Sequence, residues 1–582
     1  MAKNILLTAL LLLFSASAFS QENQKKFWVS GTARGLFNLD ELNSQVGDST
    51  TAPKSEYGHT LVDLSANIRP NKNTFIRTTL RVRNEYGGFW GSAITFDVRE
   101  LYLKGLIANS VRYQIGDINY KLTPFTFYNN TEELYENSLD IFNMYADIFH
   151  YDLFYDNNNS WRQQGIATDF SLSFREGIEE LQFNMFSSRL NFGGGATDDR
   201  LFFGGNVTMV QSKNFSAGVN YINLMDIAGT SKSTEQFENP VVTGTYKFST
   251  ELNDVDLELT GESGVSKSSI ENHATAPVNE DFFNYAKLSA DLKPFDVTLS
   301  MAYRNVGPEF RSVGAQARRL KYTTQSLSKY YTRYTNNEIV RPIGMWDVYN
   351  DASIYNTKIS EGLDNYYPQY NNVDPYGLAT PNRKGFDFSL ARVDDQGRYT
   401  VNLDYGMLSD VIGQGIDDLR KYNTISAQSE VNVHQFIEGF DRKVLVQLGY
   451  TQTQTKRTSS ILAEANSDLN SERINAGITI QLTGDLDLMA GYESFVSTGN
   501  DQIADRNQFD EIKNLVPYEV DLSETITGVG LRYMFNENND LQILWQEYNW
   551  SNSKYFNLDN SRLEEKPDYG FNRIAVAFKM KF

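Results

Sequence analysis

The chain has 582 residues, with 53 Lys and Arg, 73 Asp and Glu and no Cys, and its formal net charge at pH 7 is −20. The lack of Cys excludes thiolate catalysis, iron–sulfur clusters, Cys-based zinc sites and disulfides. Such negative charge repels nucleic acid, so no DNA or RNA partner is expected. Phe and Tyr are abundant, at 37 and 34 residues, and both favour strands and membrane interfaces.

Residues 1–20 have the pattern of a secretory signal peptide. Lys3 supplies the positive start, residues 5–14 form an apolar core too short for a stable membrane span, and small residues follow at 15–18. We therefore expect export, with residues 21–582 as the mature protein. The alternative is a buried or anchoring N-terminal helix, which the lack of a following stop-transfer pattern disfavours.

From Phe27 onward the dominant pattern is alternation of apolar and polar residues, which predicts strands. Val62, Leu64 and Ala66, for example, alternate with Asp63 and Ser65. The alternating runs are about 10–14 residues long, whereas strands of soluble sandwiches have about 5–6. This length favours a membrane barrel over a soluble sandwich.

The connections between these runs alternate between short turns and long polar loops. Ten turns, one of them at 440–442, and eleven loops, one of them at 498–521, predict about 22 antiparallel strands, within about four, in an all-β up-and-down barrel. The turns would face the periplasm together with both termini, and the loops would face the outside. Residues 21–582 are thus expected to form one barrel domain.

The last run of the chain is the most specific of these features. Its members on one face are Ile574, Val576, Phe578, Met580 and Phe582. A terminal Phe that completes such a strand resembles the signal by which the barrel-assembly machinery recognises outer-membrane barrels. The alternative is an edge strand of a secreted β-protein, although such an apolar edge would promote aggregation in water.

The chain therefore resembles porin-like outer-membrane β-barrels, and in length and aromatic content it is similar to uncharacterised outer-membrane barrels of the Bacteroidota. The stretch from Tyr113 to Tyr120, followed by a long aromatic loop, is also similar to that group. The resemblance implies a location in the outer membrane. It also implies contact with lipid, with lipopolysaccharide and with the barrel-assembly machinery. It implies no activity.

A cluster of arginines is the first candidate for a lumen site. Arg77, Arg81 and Arg83 share the non-lipid face of one strand, and Arg34 is expected close by on the first strand. Such a ladder could orient an anionic solute. Alternatively it could pair with lumenal carboxylates, among them Asp63, Asp97, Asp256, Glu258 and Glu262. Pairing is favoured, because like charges two residues apart need partners or water.

The loop 305–384 is too long for a passive connection. Its candidate recognition residues are Tyr330, Tyr331, Tyr334, Trp346, Tyr366 and Tyr367. Such amphipathic rings can stack against a glycan or dock a partner protein, and they can also pack against one another over the barrel mouth. We expect the second arrangement, with the loop as an occluding element.

The sequence contains no convincing catalytic motif, and we expect no enzyme, no metal and no cofactor. Its four histidines stand in no motif with a serine or a second metal ligand. Strands begin at Phe27, so no plug domain of an energised transporter is expected before them. The sequence thus predicts a porin-like passive channel for small solutes. The alternative is a non-conducting, surface-exposed scaffold or binding subunit of an outer-membrane complex.

Overall fold

The computed structural model describes most of the chain from residue 26 onward. The described residues are 26–42, 54–85, 94–118, 120–128, 139–144, 163–191, 198–273, 278–315, 373–374, 377–506, 512–557, 562–564 and 569–582. The predicted signal peptide 1–20 and most of the loop 305–384 lie outside them.

Strands account for nearly all of the described structure. They are β1 Phe27–Leu42, β2 Lys54–Asn71, β3 Thr74–Glu85, β4 Ile94–Ile107, β5 Val111–Ile118, β6 Gln163–Ser173, β7 Glu180–Asn191, β8 Asp199–Ser212, β9 Phe215–Ile227, β10 Gln236–Leu252, β11 Val255–Glu271, β12 Asn279–Leu292, β13 Val297–Val306, β14 Arg383–Val393, β15 Tyr399–Ser409, β16 Lys421–Asn432, β17 Val444–Arg457, β18 Ser467–Gln481, β19 Leu486–Arg506, β20 Ile512–Asn536, β21 Asn539–Asn557, β22 Arg562–Glu564 and β23 Tyr569–Lys581. Short 3-10 helices lie at Lys293–Phe295, Val313–Ala315, Gly377–Ala379, Val433–Phe436 and Ala463–Ala465.

The strands form a closed antiparallel barrel. Each strand from β1 to β20 pairs with the next, β21 pairs with β23, and β23 returns to pair with β1. The three-residue β22 pairs only with the far end of β21, so 22 strands make the wall. The chain is therefore the 22-strand barrel that alternation and connection length predict.

The two ends of the barrel differ as predicted, and we name them the turn end and the loop end. At the turn end β8 and β9 are joined by two residues, as are β10 and β11. The connection from β16 to β17 is longer than the predicted turn at 440–442, since it spans 433–443 and contains a 3-10 helix. At the loop end β19 and β20 stay paired up to Arg506 and Ile512, so most of the loop predicted at 498–521 is strand. The run from Thr498 to Gln502 contains no large apolar residue, so it interrupts the apolar alternation from which strands are predicted.

The outward face of the barrel is apolar around its circumference. On β4, for instance, Phe96, Val98 and Leu101 expose 55%, 50% and 53% of their surface. Continuous apolar surface on this scale is unfavourable in water and suits contact with lipid. Across the described ranges no helix combines the length and apolarity needed to cross a membrane.

Candidate functional site: the barrel interior

The predicted arginine ladder lies on the inward face of β3, and two of its members, Arg77 and Arg81, are paired with carboxylates. Arg81 donates from Nε and Nη2 to the two carboxylate oxygens of Asp63, both at 2.7 Å. Arg77 Nε lies 3.1 Å from Glu100. The side chains of Arg81 and Asp63 are only 6% and 3% exposed, so this pair belongs to the wall. Arg83, farther along β3, is buried as well.

A β-bulge in β4 adds Arg99 to the inward face. Strict alternation counted back from Leu101 places Arg99 on the outward face instead. Val98 pairs with Leu80 and Glu100 with Thr79, so Arg99 is an extra residue in the register. Arg99 Nη1 donates to the same Asp63 carboxylate, at 3.2 Å. The sequence indicates this bulge by a step of three residues between the outward-facing Val98 and Leu101, where a regular strand has a step of two residues.

The remaining lumen candidates lie in three separate places. Arg34 donates from Nε to Nε2 of the buried His59, at 2.9 Å. Asp256 and Glu258 lie near the turn end, where Asp256 pairs with Lys293 at 3.0 Å and Glu258 with Lys247 at 2.5 Å. Glu262 lies on β11 closer to the loop end than Asp256 and Glu258, and it is buried. The structure therefore does not join the predicted acids and arginines into one site.

Part of the loop between β5 and β6 folds into the barrel, and we name residues 120–128 the first inner segment. Phe125 stacks on Phe283 of β12, with ring centroids 4.1 Å apart, and Phe127 packs against Phe186 of β7 and Phe202 of β8. Thr123 donates its hydroxyl to Glu262 at 2.8 Å. These contacts hold the segment against one side of the lumen wall near the loop end.

The start of the loop 305–384 packs on the first inner segment. Phe310, Val313 and Ala315 are buried in the same apolar cluster. The backbone N–H of Tyr128 donates to the carbonyl of Gly314 at 3.0 Å. The two longest loops that the sequence predicts therefore meet inside the barrel, and sequence reasoning expected only one of them there.

Residues 139–144 form the second inner segment, which reaches the turn-end half of the lumen. It lies on three inward-facing glycines that stand in register on neighbouring strands, Gly477 on β18, Gly491 on β19 and Gly528 on β20. A Cβ on these glycines would lie 2.9 Å from Leu139, 2.6 Å from Ile141 and 2.9 Å from Phe142, respectively. We call these three residues the glycine row. Their lack of side chains makes room for the apolar segment.

Asp140 fixes the second inner segment to the wall. Its carboxylate accepts from Arg532 Nη1 at 2.8 Å and from the hydroxyl of Thr479 at 3.0 Å, and its backbone N–H donates to Gln447 at 2.8 Å. Arg532 also donates from Nε and Nη2 to Asp487, at 3.1 and 2.9 Å. Three wall strands thus bind one aspartate of the loop.

A cavity of about 950 Å³ lies beside the second inner segment at the turn end, and we name it the turn-side cavity. Its charged lining residues are Arg34, Asp140, Lys443, Asp485, Asp487, Arg532, Glu537, Asp540 and Lys579. Lining residues from the connections before β17, β19 and β21, namely Lys443, Gly484, Asp485 and Glu537, place its rim at the turn end. The cavity is large enough for a small solute together with water.

Buried arginines also stabilise the wall at the loop end, through ion pairs and hydrogen bonds. Arg383 Nη1 lies 3.3 Å from Asp410, and Arg420 Nε lies 3.0 Å from Asp501. Arg457 donates to the carbonyl of Ala465 at 2.7 Å. The sequence did not single out these arginines, because their strand ends look like polar loop.

The loop recognition candidates Tyr330, Tyr331, Tyr334, Trp346, Tyr366 and Tyr367 lie outside the described residues. In the terminal strand, Ile574 is exposed on the outward face, while Arg573 on the inward face binds Asp40 of β1 at 2.6 and 2.7 Å. The terminal Phe582 exchanges backbone hydrogen bonds with Gly31, at 2.7 and 3.0 Å. Among the described residues no group of three or more His, Asp or Glu is placed to hold a metal ion.

No family model matches the sequence, and no curated protein matches it. Solved structures do match, among them the translocation pore of the P pilus usher PapC, with a TM-score of 0.37 and 9% identity over 95% of this chain and 99% of that one. OccK11 of Pseudomonas aeruginosa has a TM-score of 0.34 and 9% identity over 96% of each chain. A BenF-like porin from Pseudomonas fluorescens Pf-5 has 0.35 and 9%, over 96% of this chain and 100% of that one. With TM-scores this low, the assignment of a closed 22-strand barrel depends on the strand pairing of the chain itself.

Proposed function

We propose that the protein is an outer-membrane channel through which small solutes pass passively, and that its two inner segments narrow the lumen. The observation that carries the proposal is the second inner segment, a piece of an external loop that lies deep in the barrel beside an open cavity of about 950 Å³. A loop that enters the lumen limits the size of what passes without any need for a separate plug domain.

The apolar outward face and the predicted export signal support the location. Outward residues such as Val98 and Leu101 would contact lipid acyl chains, and lipopolysaccharide would surround the loop end. The C-terminal strand with Phe582 would engage the barrel-assembly machinery. The proposal involves no catalysis, cofactor or metal.

A non-conducting scaffold is the second candidate, and the apolar filling of the lumen favours it. Phe125, Phe127, Phe310 and Phe142 are all buried inside the wall. If these segments never move, the protein would display its external loops without conducting. The loop 305–384, with its aromatic residues, would then serve recognition of a glycan or a partner protein.

Single-channel recording of the purified protein in a planar bilayer separates the two candidates. We expect discrete conductance steps. We also expect the steps to grow when Leu139, Ile141 and Phe142 are all changed to Ser, since these side chains hold the second inner segment on the wall. No steps from either protein, with normal folding of both, would reject the channel and favour the scaffold.

Replacement of residues 316–372 by a short Gly/Ser linker tests the long loop separately. This change keeps the buried ends around Val313 and Ala379. A larger conductance would support an occluding role. An unchanged conductance would assign the loop to recognition at the surface.

A further inference from the structure

Arg532 holds two carboxylates that come from different parts of the protein. Asp487 lies directly opposite it in the β19–β20 register, so this partner is fixed by the sheet. Asp140 is 392 positions away in the chain and reaches Arg532 only because the second inner segment enters the lumen. One side of the guanidinium therefore has a partner on the neighbouring wall strand, whereas the other side has a partner supplied by the inner segment.

The side of Arg532 that binds Asp140 is reached from the turn-side cavity. Arg532 and Asp140 keep 20% and 22% of their side-chain surface exposed, and both line the cavity. An ion pair in contact with water contributes little free energy, so a competing anion can replace one partner. The planar guanidinium suits carboxylates, because its N–H groups match the two oxygens.

The cavity holds other charges besides Arg532 and its two partners. The cations Arg34, Lys443 and Lys579 line it together with the acids Asp485, Glu537 and Asp540. Lys579 stands in register between Arg34 and Asp540, so cations and acids are interspersed. A preference of the cavity for a carboxylate would therefore come from Arg532 itself.

We propose that Arg532 is a binding site for the carboxylate group of small solutes in the turn-side cavity, and that Asp140 occupies this site when no solute is bound. The inference rests on the proposed channel function and deepens it by naming a solute class. Binding of a solute carboxylate on Nη1 would displace Asp140 and loosen the second inner segment, because Asp140 provides much of its polar attachment.

Ligand-observed NMR on the purified barrel in detergent tests the site without any need for conductance. The probes are butyrate and butylammonium, which have similar chains and opposite charges. We expect line broadening of butyrate and none of butylammonium beyond that in protein-free detergent. Asp140→Asn should strengthen butyrate binding about two- to fivefold, because it removes the competing charge. Arg532→Gln should weaken it about tenfold or more.

The matched control is Arg112→Gln. Arg112 is also paired with an aspartate, Asp169, near the turn end, but it does not line the cavity. It should leave butyrate binding unchanged, and heat-modifiable migration on gels checks that each variant is folded. Absence of butyrate binding in both the parent and the folded Asp140→Asn variant would overturn the proposal, as would equal loss of binding in the Arg112→Gln control.

The outcome is independent of the channel test. Conductance without butyrate binding would reject the carboxylate site and leave the channel intact. Butyrate binding that depends on Arg532, in a protein that does not conduct, would reject the channel and keep the site.

Discussion

The glycine row offers a direct way to move the second inner segment. Gly477, Gly491 and Gly528 leave room for Leu139 and its neighbours, and a Cβ on Gly491 would lie 2.6 Å from Ile141 Cγ2. Contacts under 3.0 Å between carbon atoms cannot persist, so an added side chain must displace the segment or distort the wall. The wall is held by strand pairing on both sides, so we expect the segment to move.

The free energy of overpacking, compared with the free energy gained by burial, decides whether the second inner segment shifts or leaves the wall. Burial of Leu139, Ile141 and Phe142 stabilises the segment by about 1.5–3 kcal/mol each, and these are upper values. One overpacked site costs about 1–3 kcal/mol, so Gly491→Ala should shift the segment without releasing it. Substitution of all three glycines by Val should cost about three times as much free energy as one overpacked site. This sum is comparable to the free energy that burial of Leu139, Ile141 and Phe142 contributes. The triple variant should therefore release the segment.

Cysteine labelling measures the release, since the chain has no Cys of its own. Phe142→Cys should react slowly with a water-soluble maleimide in the otherwise unchanged protein and rapidly in the triple variant. Single-channel conductance should rise in parallel. The control is Gly35→Val, since a Cβ at Gly35 meets no atom within 4 Å. Equal labelling rates in the parent and in a folded triple variant would refute the idea that the glycine row positions the segment.

Three further predictions concern the wall and the first inner segment. Arg81→Gln should lower the stability of the barrel, measured by denaturant unfolding in detergent, by less than the roughly 3–5 kcal/mol of a fully unpaired buried charge, because Asp63 keeps its bond from Arg99. A joint change of Arg81, Arg99 and Asp63 to apolar side chains should restore part of the loss. Phe578→Asp together with Met580→Asp should prevent insertion, since acids on the lipid face are unfavourable, and a normal outer-membrane amount of this variant would contradict the assigned closing strand. Glu262→Ala should loosen the first inner segment, which its aromatic contacts still hold, and moderately speed labelling of a cysteine placed there. Glu262→Gln, which still accepts the hydroxyl of Thr123, should label like the parent.

The barrel could be predicted from the sequence because its wall obeys one simple rule. Outward residues such as Ile574 must be apolar for lipid, inward residues such as Arg573 need not be, and the resulting alternation marks each strand. Alternation fails to mark a strand where the register shifts or where no apolar residue faces outward. At Arg99 a bulge changes the side of the wall to which residues point, and from Thr498 to Gln502 on β19 the sequence has no large apolar residue to mark a face.

The interior could be predicted only in part, because it depends on contacts between distant segments. Arg81 and Asp63 stand on adjacent strands, so their pairing could be proposed as one of two alternatives. Asp140 and Arg532 are far apart in the chain and share no pattern, so the sequence alone offers no reason to join them. The glycines of the row are likewise unremarkable in single strands, and only the register of β18, β19 and β20 aligns them.

The seam between β1 and β23 has a consequence for the order of folding. The ion pair of Asp40 with Arg573 joins residues 533 positions apart, whereas the other described wall pairings join strands that follow one another in the chain, apart from the three-residue β22 between β21 and β23. Hairpins can therefore form one after another as the chain becomes available, but the ring cannot close before the last strand arrives. Loop-closure entropy rises only with the logarithm of length, so a tenfold longer separation adds about 2 kcal/mol. The greater hazard is the time during which β1 and β21 present unpaired edges. Substitutions at the seam should thus reduce the yield of assembled barrels more than the lifetime of those already closed.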